Sequence, residues 1–338
     1  MDSLTHIVLG ACIGEVWLGK KIGKRAMLLG AVAQSIPDID FIASFFLPPA
    51  KDLLAHRGFT HSLLFMVLMT PLLSWLADRW RRPHDVSFRT WICFFSTQMF
   101  VHIFLDACNV YGTGWFEPFS HYRISFNTMF VADILFSIVP FVAVMILLFT
   151  PLTHRLRKKY AFLAMTWCAL YLLLGVTFKM IVESAVQKNI REQQIASKRF
   201  FTTPTPLNNL LWYTVIESDS GYYLGYRSVL DSKKKMQLHF FPRHAELTER
   251  IQDKEELSLL MRFAQGYYTL EMQADTVVFN DLRFGQMAGW YNPASGFVFH
   301  YYLQNAEGND LVIQRGRFSN WNMAVVKSLW RRMWGRGD

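Results

Sequence analysis

Cysteine is scarce in this chain. Cys12, Cys93, Cys108 and Cys168 are the four in 338 residues, and all lie in or beside apolar runs. They form neither a disulfide framework nor a CxxC motif, so cysteine does not report the compartment. No RNA- or DNA-binding motif is present, and no nucleic-acid partner is expected. The N-terminus lacks a basic n-region and a small-residue cleavage site, and it carries His6 and Glu15, so it does not read as a signal peptide. Repeats and low-complexity segments are absent too. Long apolar runs are missing from residue 183 onward, which excludes a chain that is membrane-embedded throughout.

Before that point the sequence is different. Hydrophobic residues make up 52% of the chain, and they concentrate in runs over 4–18, 26–47, 59–77, 91–108, 128–150 and 161–182. The first is short for a span, and the second is broken by Pro37. A helix needs about 20 apolar residues to cross a bilayer, so five or six spans are expected. Charge is sparse within the runs and sits between them. Through residue 182 there are sixteen Lys+Arg against ten Asp+Glu, and beyond it nineteen against sixteen. The three loops around Lys20–Arg25, Arg79–Arg89 and Arg155–Lys159 hold twelve of those cations; the two between hold Lys51, Arg57 and Arg123. By the positive-inside tendency the basic loops are cytoplasmic. The His56 loop, the Tyr111 loop and the tail then lie outside.

The tail reads as a soluble α+β domain. A polar helical extension over 183–200 is followed by Pro204-Thr205-Pro206. Aromatic and β-branched runs at 210–217, 222–229, 267–272, 276–281, 297–303 and 311–315 suit strands. Helices are expected near 253–264 and 322–334. The last is amphipathic and basic, with Val326, Leu329, Trp330 and Met333 beside Lys327, Arg331 and Arg332. Such a helix lies on a membrane or packs on its own domain. The expected domains are 1–182, membrane-embedded, and 183–338, soluble and membrane-apposed.

Polar residues inside apolar runs carry the functional signal, because they are expensive there. His102 and Asp106 are four apart and share a helix face. Asp106 near a helix C-terminus needs a cation, which a metal or an arginine supplies. Asp38 and Asp40 flank the break at Pro37, with no Lys or Arg nearby in sequence. His56 and His61 are five apart, about 140° around a helix, so they cannot share a face. Gly58 offers a turn between them, which puts His56 in a loop and His61 at a helix start. That helix start suits an anion such as phosphate, and Arg57 adds a bidentate donor. Two surface histidines at a membrane interface is the alternative for that pair. His6 opens the first helix. Asp133 is the one charge in 128–150 and reads as a ligand, a partner for a ligating histidine, or an interfacial acid. Traced through the spans, all of these groups fall at one membrane face, opposite the basic loops. Mixed His and carboxylate ligands suit zinc, and also manganese or iron. Seven candidates exceed one tetrahedral shell, so two or three ions are expected, an arrangement typical of phosphoester hydrolysis.

At Thr5-His6, Pro37-Asp38-Ile39-Asp40, His56-Arg57-Gly58-Phe59-Thr60-His61-Ser62, His102-Ile103-Phe104-Leu105-Asp106, Tyr111-Gly112-Thr113, Pro118-Phe119-Ser120 and Asn127–Asp133 the sequence resembles the membrane-bound metal-dependent hydrolases, inner-membrane proteins also described as LexA-regulated hydrolases. Pro204-Thr205-Pro206, Tyr222–Gly225 and Asp281–Gly285 resemble the longer members' tails, so the likeness covers nearly the whole chain. That family in turn resembles zinc-dependent phospholipase C and the P1-type nucleases, helical enzymes with a three-zinc cluster and an HxxxD pair matching His102 and Asp106. The resemblance implies a helical polytopic membrane domain of that kind followed by an α+β domain. It implies His6, Asp38, Asp40, His56, His61, His102 and Asp106 as ligands, and Asp38 or Asp40 as general base. Where the family commonly has proline after the last acid, this chain has Ile134. The function expected is metal-dependent hydrolysis of a phosphoester in a lipid or lipid-linked substrate at the inner membrane, with Arg57 on the phosphate. An ion-conducting path and a metal-stabilised scaffold are the competing classes.

Overall fold

The computed structural model describes residues 1–80, 86–232, 235–303 and 321–336. It divides into two compact units: Met1–Phe46 with Ala55–Gly175, and Leu47–Leu54 with Val176–Asp338.

The first unit is helical. Its α1 (Ser3–Ile22) is capped by Asp2, whose carboxylate accepts the Thr5 N–H, and α2 (Arg25–Ser35) folds back along it. Their axes approach closely because Gly10, Gly14 and Gly30 carry no side chain. A Cβ on Gly14 would lie 2.0 Å from the Ala26 carbonyl oxygen, and one on Gly30 would lie 2.1 Å from that of Gly10. This is the small-residue packing common between membrane helices. Pro37 ends α2 and begins a 3₁₀ segment, Pro37–Phe45, bent 53° from it. The short α3 (Pro49–Ala55), all but its last residue part of the second unit, and a 3₁₀ turn at Phe59–His61 precede α4 (Leu63–Trp80). Then come α5 (Phe88–Ala107), α6 (Ile134–Phe149) and α7 (Arg157–Glu192), whose first half belongs to this unit. A buried ion pair fastens the end near the basic loops. Arg157 donates from Nε and Nη2 to the Glu15 carboxylate, both at 2.8 Å, and from Nη1 to the Leu147 and Thr150 carbonyls.

By length and composition, α4 and α7 are long and apolar enough to cross a membrane, and the bent pair of α2 and the 3₁₀ segment makes a third if it is one span. Among the described residues this makes two or three candidate spans, where five or six had been expected. Helix α6 has only 16 residues. In α1 and α5 the buried polar residues dilute the apolar character: His6 and Glu15 in one, Gln98, His102 and Asp106 in the other. Arg81 and Arg82 of the second basic loop lie outside the described residues.

In the second unit, strands β1 (Arg199–Pro204), β2 (Leu211–Glu217), β3 (Gly221–Ser228) and β4 (Leu238–Pro242) form an antiparallel sheet in that order. Strands β5 (Tyr268–Gln273), β6 (Thr276–Gln286) and β7 (Phe297–Tyr302) form a second one. Every residue of β2 is buried, because both faces of the first sheet are covered. Val182 and Val186 of α7 pack on Trp212 and Ile216, while Tyr267, Leu282 and Phe297 meet Tyr213, Val215 and Tyr222 from the other side. The helices α8 (Lys254–Phe263) and α9 (Met323–Met333) complete the unit. The expected α+β tail is therefore observed, and the structure makes both of its sheets antiparallel. The polar helix expected to run to residue 200 stops at Glu192, and β1 begins at Arg199. Strand β4 had not been anticipated, and the strand expected at 311–315 lies outside the described residues.

Candidate metal centre

Four elements bring the acids and imidazoles together. The 3₁₀ segment after Pro37 supplies Asp38 and Asp40, the turn before α4 supplies His61, and α5 supplies His102 and Asp106 from adjacent turns. His6 approaches from α1. One nitrogen or oxygen from each of Asp38, His61, His102 and Asp106 lies within 4.8 Å of all the others. The individual separations are close to one another. His61 Nε2 is 3.1 Å from His102 Nε2 and 3.2 Å from Asp106 Oδ2. His102 Nε2 is 3.4 Å from Asp38 Oδ1 and 3.7 Å from Asp106 Oδ2, and His61 Nε2 is 3.7 Å from Asp38 Oδ1.

Each imidazole is held from behind. His102 Nδ1 is 2.5 Å from the Gln34 carbonyl oxygen, so its proton resides there and Nε2 keeps a lone pair for the centre. His61 Nδ1 meets the Thr60 hydroxyl at 3.1 Å and faces Asp40 Oδ2 at 3.4 Å. His6 stacks on His102 with centroids 3.8 Å apart and places Nε2 3.2 Å from Asp106 Oδ1. His61, His102 and Asp106 are fully buried, whereas the Asp38 side chain is 27% exposed. Asp38 is thus the group of the four that reaches the surface.

The seven residues expected as ligands therefore divide. Asp38, His61, His102 and Asp106 converge, with His6 against Asp106. Asp40 and His56 lie behind His61: Asp40 Oδ2 accepts the Arg57 backbone N–H at 2.6 Å and is 3.5 Å from Nδ1 of the half-buried His56. Among the described residues this is one group of four donors, where two or three ions had been expected. Asp133 caps α6, accepting the Leu135 and Phe136 N–H groups and the Tyr171 hydroxyl at 2.7 Å.

Arg57 is buried rather than open to a substrate. Its Nε is 3.1 Å from Asp106 Oδ2, Nη1 donates to Asn109 Oδ1 at 2.9 Å, and Nη2 donates to the Met1 carbonyl at 3.2 Å. Burial lowers its pKa from the ordinary value, against the opposing pull of Asp38 and Asp40. Its φ is +57°, so in the turn between His56 and His61 the left-handed residue is Arg57, while Gly58 has φ −86°. A non-glycine residue in that region costs about 1–2 kcal/mol, and here the Asp40 contact and the three guanidinium contacts hold it. The Met1 amine also contacts Asp106 Oδ1. Several participants were not read from the sequence. Gln34, a polar residue in an apolar run, was a usable signal. Asn109 and Met1 gave none, because only the fold brings them near Arg57.

An apolar helical unit with buried acids and imidazoles at one locus defines an integral membrane protein with a polar centre. Residues 1–182 match the family model described as YdjM inner membrane protein, so the chain belongs to the YdjM inner membrane protein family. It is 31% identical over 122 residues to "Inner membrane protein YbcI" of Escherichia coli (strain K12), covering 36% of this chain and 69% of that protein. It is also 31% identical over 130 residues to "Uncharacterized protein YfhP" of Bacillus subtilis (strain 168), covering 36% of this chain and 38% of that protein. No solved structure matches.

Proposed function

We propose that Asp38, His61, His102 and Asp106 hold one divalent ion, most simply zinc, and that the protein is a metal-dependent phosphoesterase acting on a lipid or another membrane-borne molecule. The carrying observation is the set of donor separations. A tetrahedral ion with ligands at about 2.0–2.2 Å has donors roughly 3.3–3.6 Å apart, and the five separations given above run from 3.1 to 3.7 Å. A single proton shared by His61 and His102 would satisfy those two nitrogens but leave Asp38 and Asp106 facing lone pairs. One cation satisfies all four. Two nitrogens and two carboxylates suit zinc, with manganese and iron as alternatives.

When bound, the ion would supply Lewis acidity toward a phosphoryl oxygen and toward water. The remaining tasks belong to the chain. The Gln34 carbonyl fixes His102 by its outer nitrogen, and the Thr60 hydroxyl and the Asp40 carboxylate meet the outer nitrogen of His61. Arg57 positions Asp106 and neutralises part of the charge of two adjacent carboxylates. A shell of four protein ligands leaves no position for water, so Asp38, the partly exposed one, would be the ligand that yields its place and serves as general base, whereas Asp40 accepts the Arg57 N–H and faces His61. Exposed aromatic side chains flank the site in the chain: Phe41, Phe45 and Phe46 after the aspartates, and Phe116, Phe119 and Tyr122 in the second loop. That loop is tied to the histidine turn, with the Gly114 N–H on the Arg57 carbonyl at 2.9 Å and the Leu63 N–H on the Trp115 carbonyl at 3.0 Å. An aromatic rim is suited to the bilayer interface and favours substrates drawn from it. The basic loops support placing the site and the tail on the non-cytoplasmic side.

The test is release of phosphate or head group from a panel of phospholipids by the zinc-loaded protein, beside Asp38→Asn. Turnover abolished by the substitution supports the reading; no turnover by either protein at any pH refutes the enzyme. A second reading has its own observation. Arg57 and the Met1 amine already contact Asp106, so the cluster can serve as a purely structural ion network. In that case chelation leaves the melting temperature unchanged.

A further inference from the structure

Helix α9 presents two apolar faces where a helix packed on one domain needs one. Val325 and Leu329 are buried against Leu211, Ala288 and Trp290. The helix is fixed in that seat. Asn322 caps its N-terminus, the Ser228 hydroxyl donates to the Met333 carbonyl at 2.6 Å, and Arg332 pairs with Asp231 at 3.1 Å. Its other side carries Met323, Val326, Trp330 and Trp334, exposed by 70, 42, 59 and 47%. At 100° per residue these four fall on a single outward stripe. Leu230, also exposed, adjoins it: its carbonyl lies beneath Gly335. Lys327 and Arg331 flank the stripe and Arg336 follows it, all exposed, and α9 contains no acidic residue. Three consecutive lysines, Lys233–Lys235, follow Leu230 closely in the chain.

We propose that this stripe is a membrane-seating surface, which lies on a bilayer with Met323, Val326, Trp330 and Trp334 among the acyl-chain ends and the cations on anionic head groups. The charge decides the occupant. A second copy of the chain would set Lys327 and Arg331 against their own equivalents. The surface is a convex helix, so it offers no groove for a peptide. Paired tryptophans beside cations match the interfacial region, where an indole has one apolar and one wet edge. The helix is already held by its inner face, so seating requires no refolding.

The experiment uses the full chain in nanodiscs, with a nitroxide on Val326→Cys or on the solvent-facing Ala324→Cys. Wild-type protein labelled in parallel gives the background from native cysteines. Relative accessibility to oxygen and to a water-soluble nickel complex reports depth. With phosphatidylglycerol present, position 326 should be oxygen-accessible and nickel-protected, and position 324 the reverse. Each cation near an anionic surface is worth about fivefold in partition, so Lys327→Gln with Arg331→Gln should lower the seated-to-free ratio roughly 25-fold. Equal nickel accessibility at the two positions overturns the proposal. So does protection at 326 that is indifferent to lipid charge and to the double substitution, or that comes with dipolar broadening between labels, the mark of a second copy.

Discussion

Asp40→Asn separates a metal centre from a structural ion network more sharply than removal of a direct ligand. Asp40 touches no donor atom of the four that converge; it faces the outer nitrogen of His61 at 3.4 Å and accepts the Arg57 N–H at 2.6 Å. Asparagine is close to isosteric, and its carbonyl can still accept that N–H, so the turn at Arg57 survives. What is lost is the carboxylate that orients His61 and raises its basicity. Removing such an outer partner weakens metal affinity by about 10–100-fold, or about 1.4–2.7 kcal/mol. His102→Ala removes a donor outright, together with the ring stacked on His6, and should take zinc binding below detection. The assay is a competition titration of the detergent-solubilised full chain against a chelating dye, with circular-dichroism melts as the control for folding. The expected order is wild type, then Asp40→Asn, then His102→Ala. If His102→Ala holds zinc as tightly as wild type, the four atoms do not form a metal site. If Asp40→Asn matches wild type while His102→Ala fails, the site stands and the orienting role of Asp40 does not.

Other outcomes follow from the packing. Glu15→Ala strands Arg157 as a buried unpaired cation and should cost about 3–5 kcal/mol; thermal melts should show Glu15→Met with Arg157→Leu recovering most of it. Gly14→Ala places a methyl group against the Ala26 carbonyl and should destabilise by about 1–3 kcal/mol, read as a lower melting temperature. In the tail, burial raises the Glu217 carboxyl, but hydrogen bonds from Arg199 at 2.5 Å and Arg243 at 2.6 Å outweigh it and hold the pKa below its ordinary value. The folded pKa is the lower one, so this stability is full above about pH 4.3 and is lost as pH falls through the folded value. Glu217→Gln should therefore flatten the acid limb of the tail's pH–stability curve, and an unchanged limb would contradict the assignment.

The sequence by itself determined the elements and the chemical cast. Apolar runs separated by charged loops fix where helices form, because a buried backbone must satisfy its own hydrogen bonds. Aromatic and β-branched runs likewise marked β2, β3, β5, β6 and β7. The same logic made His61, His102, Asp38 and Asp106 conspicuous: polar groups in apolar runs need partners. The sequence could not apportion their roles. Asp38 and Asp40 are equivalent in a string of letters; the 3₁₀ geometry after Pro37 turns one to the centre and the other to the back of His61. Arg57 looked like a phosphate reader, yet the fold buries it on Asp106. The spans were overcounted because α1 and α5 are apolar enough to suggest crossing, while their polar residues serve the interior of the bundle. Glu15 and Arg157 stand 142 positions apart, so no local pattern announces their pairing. Nor does helical periodicity say which of two apolar stripes on α9 faces its domain. Local propensity is written in neighbouring residues, whereas the division of a polar cluster into ligands, orienters and counter-charges depends on distances that exist only once remote segments have packed.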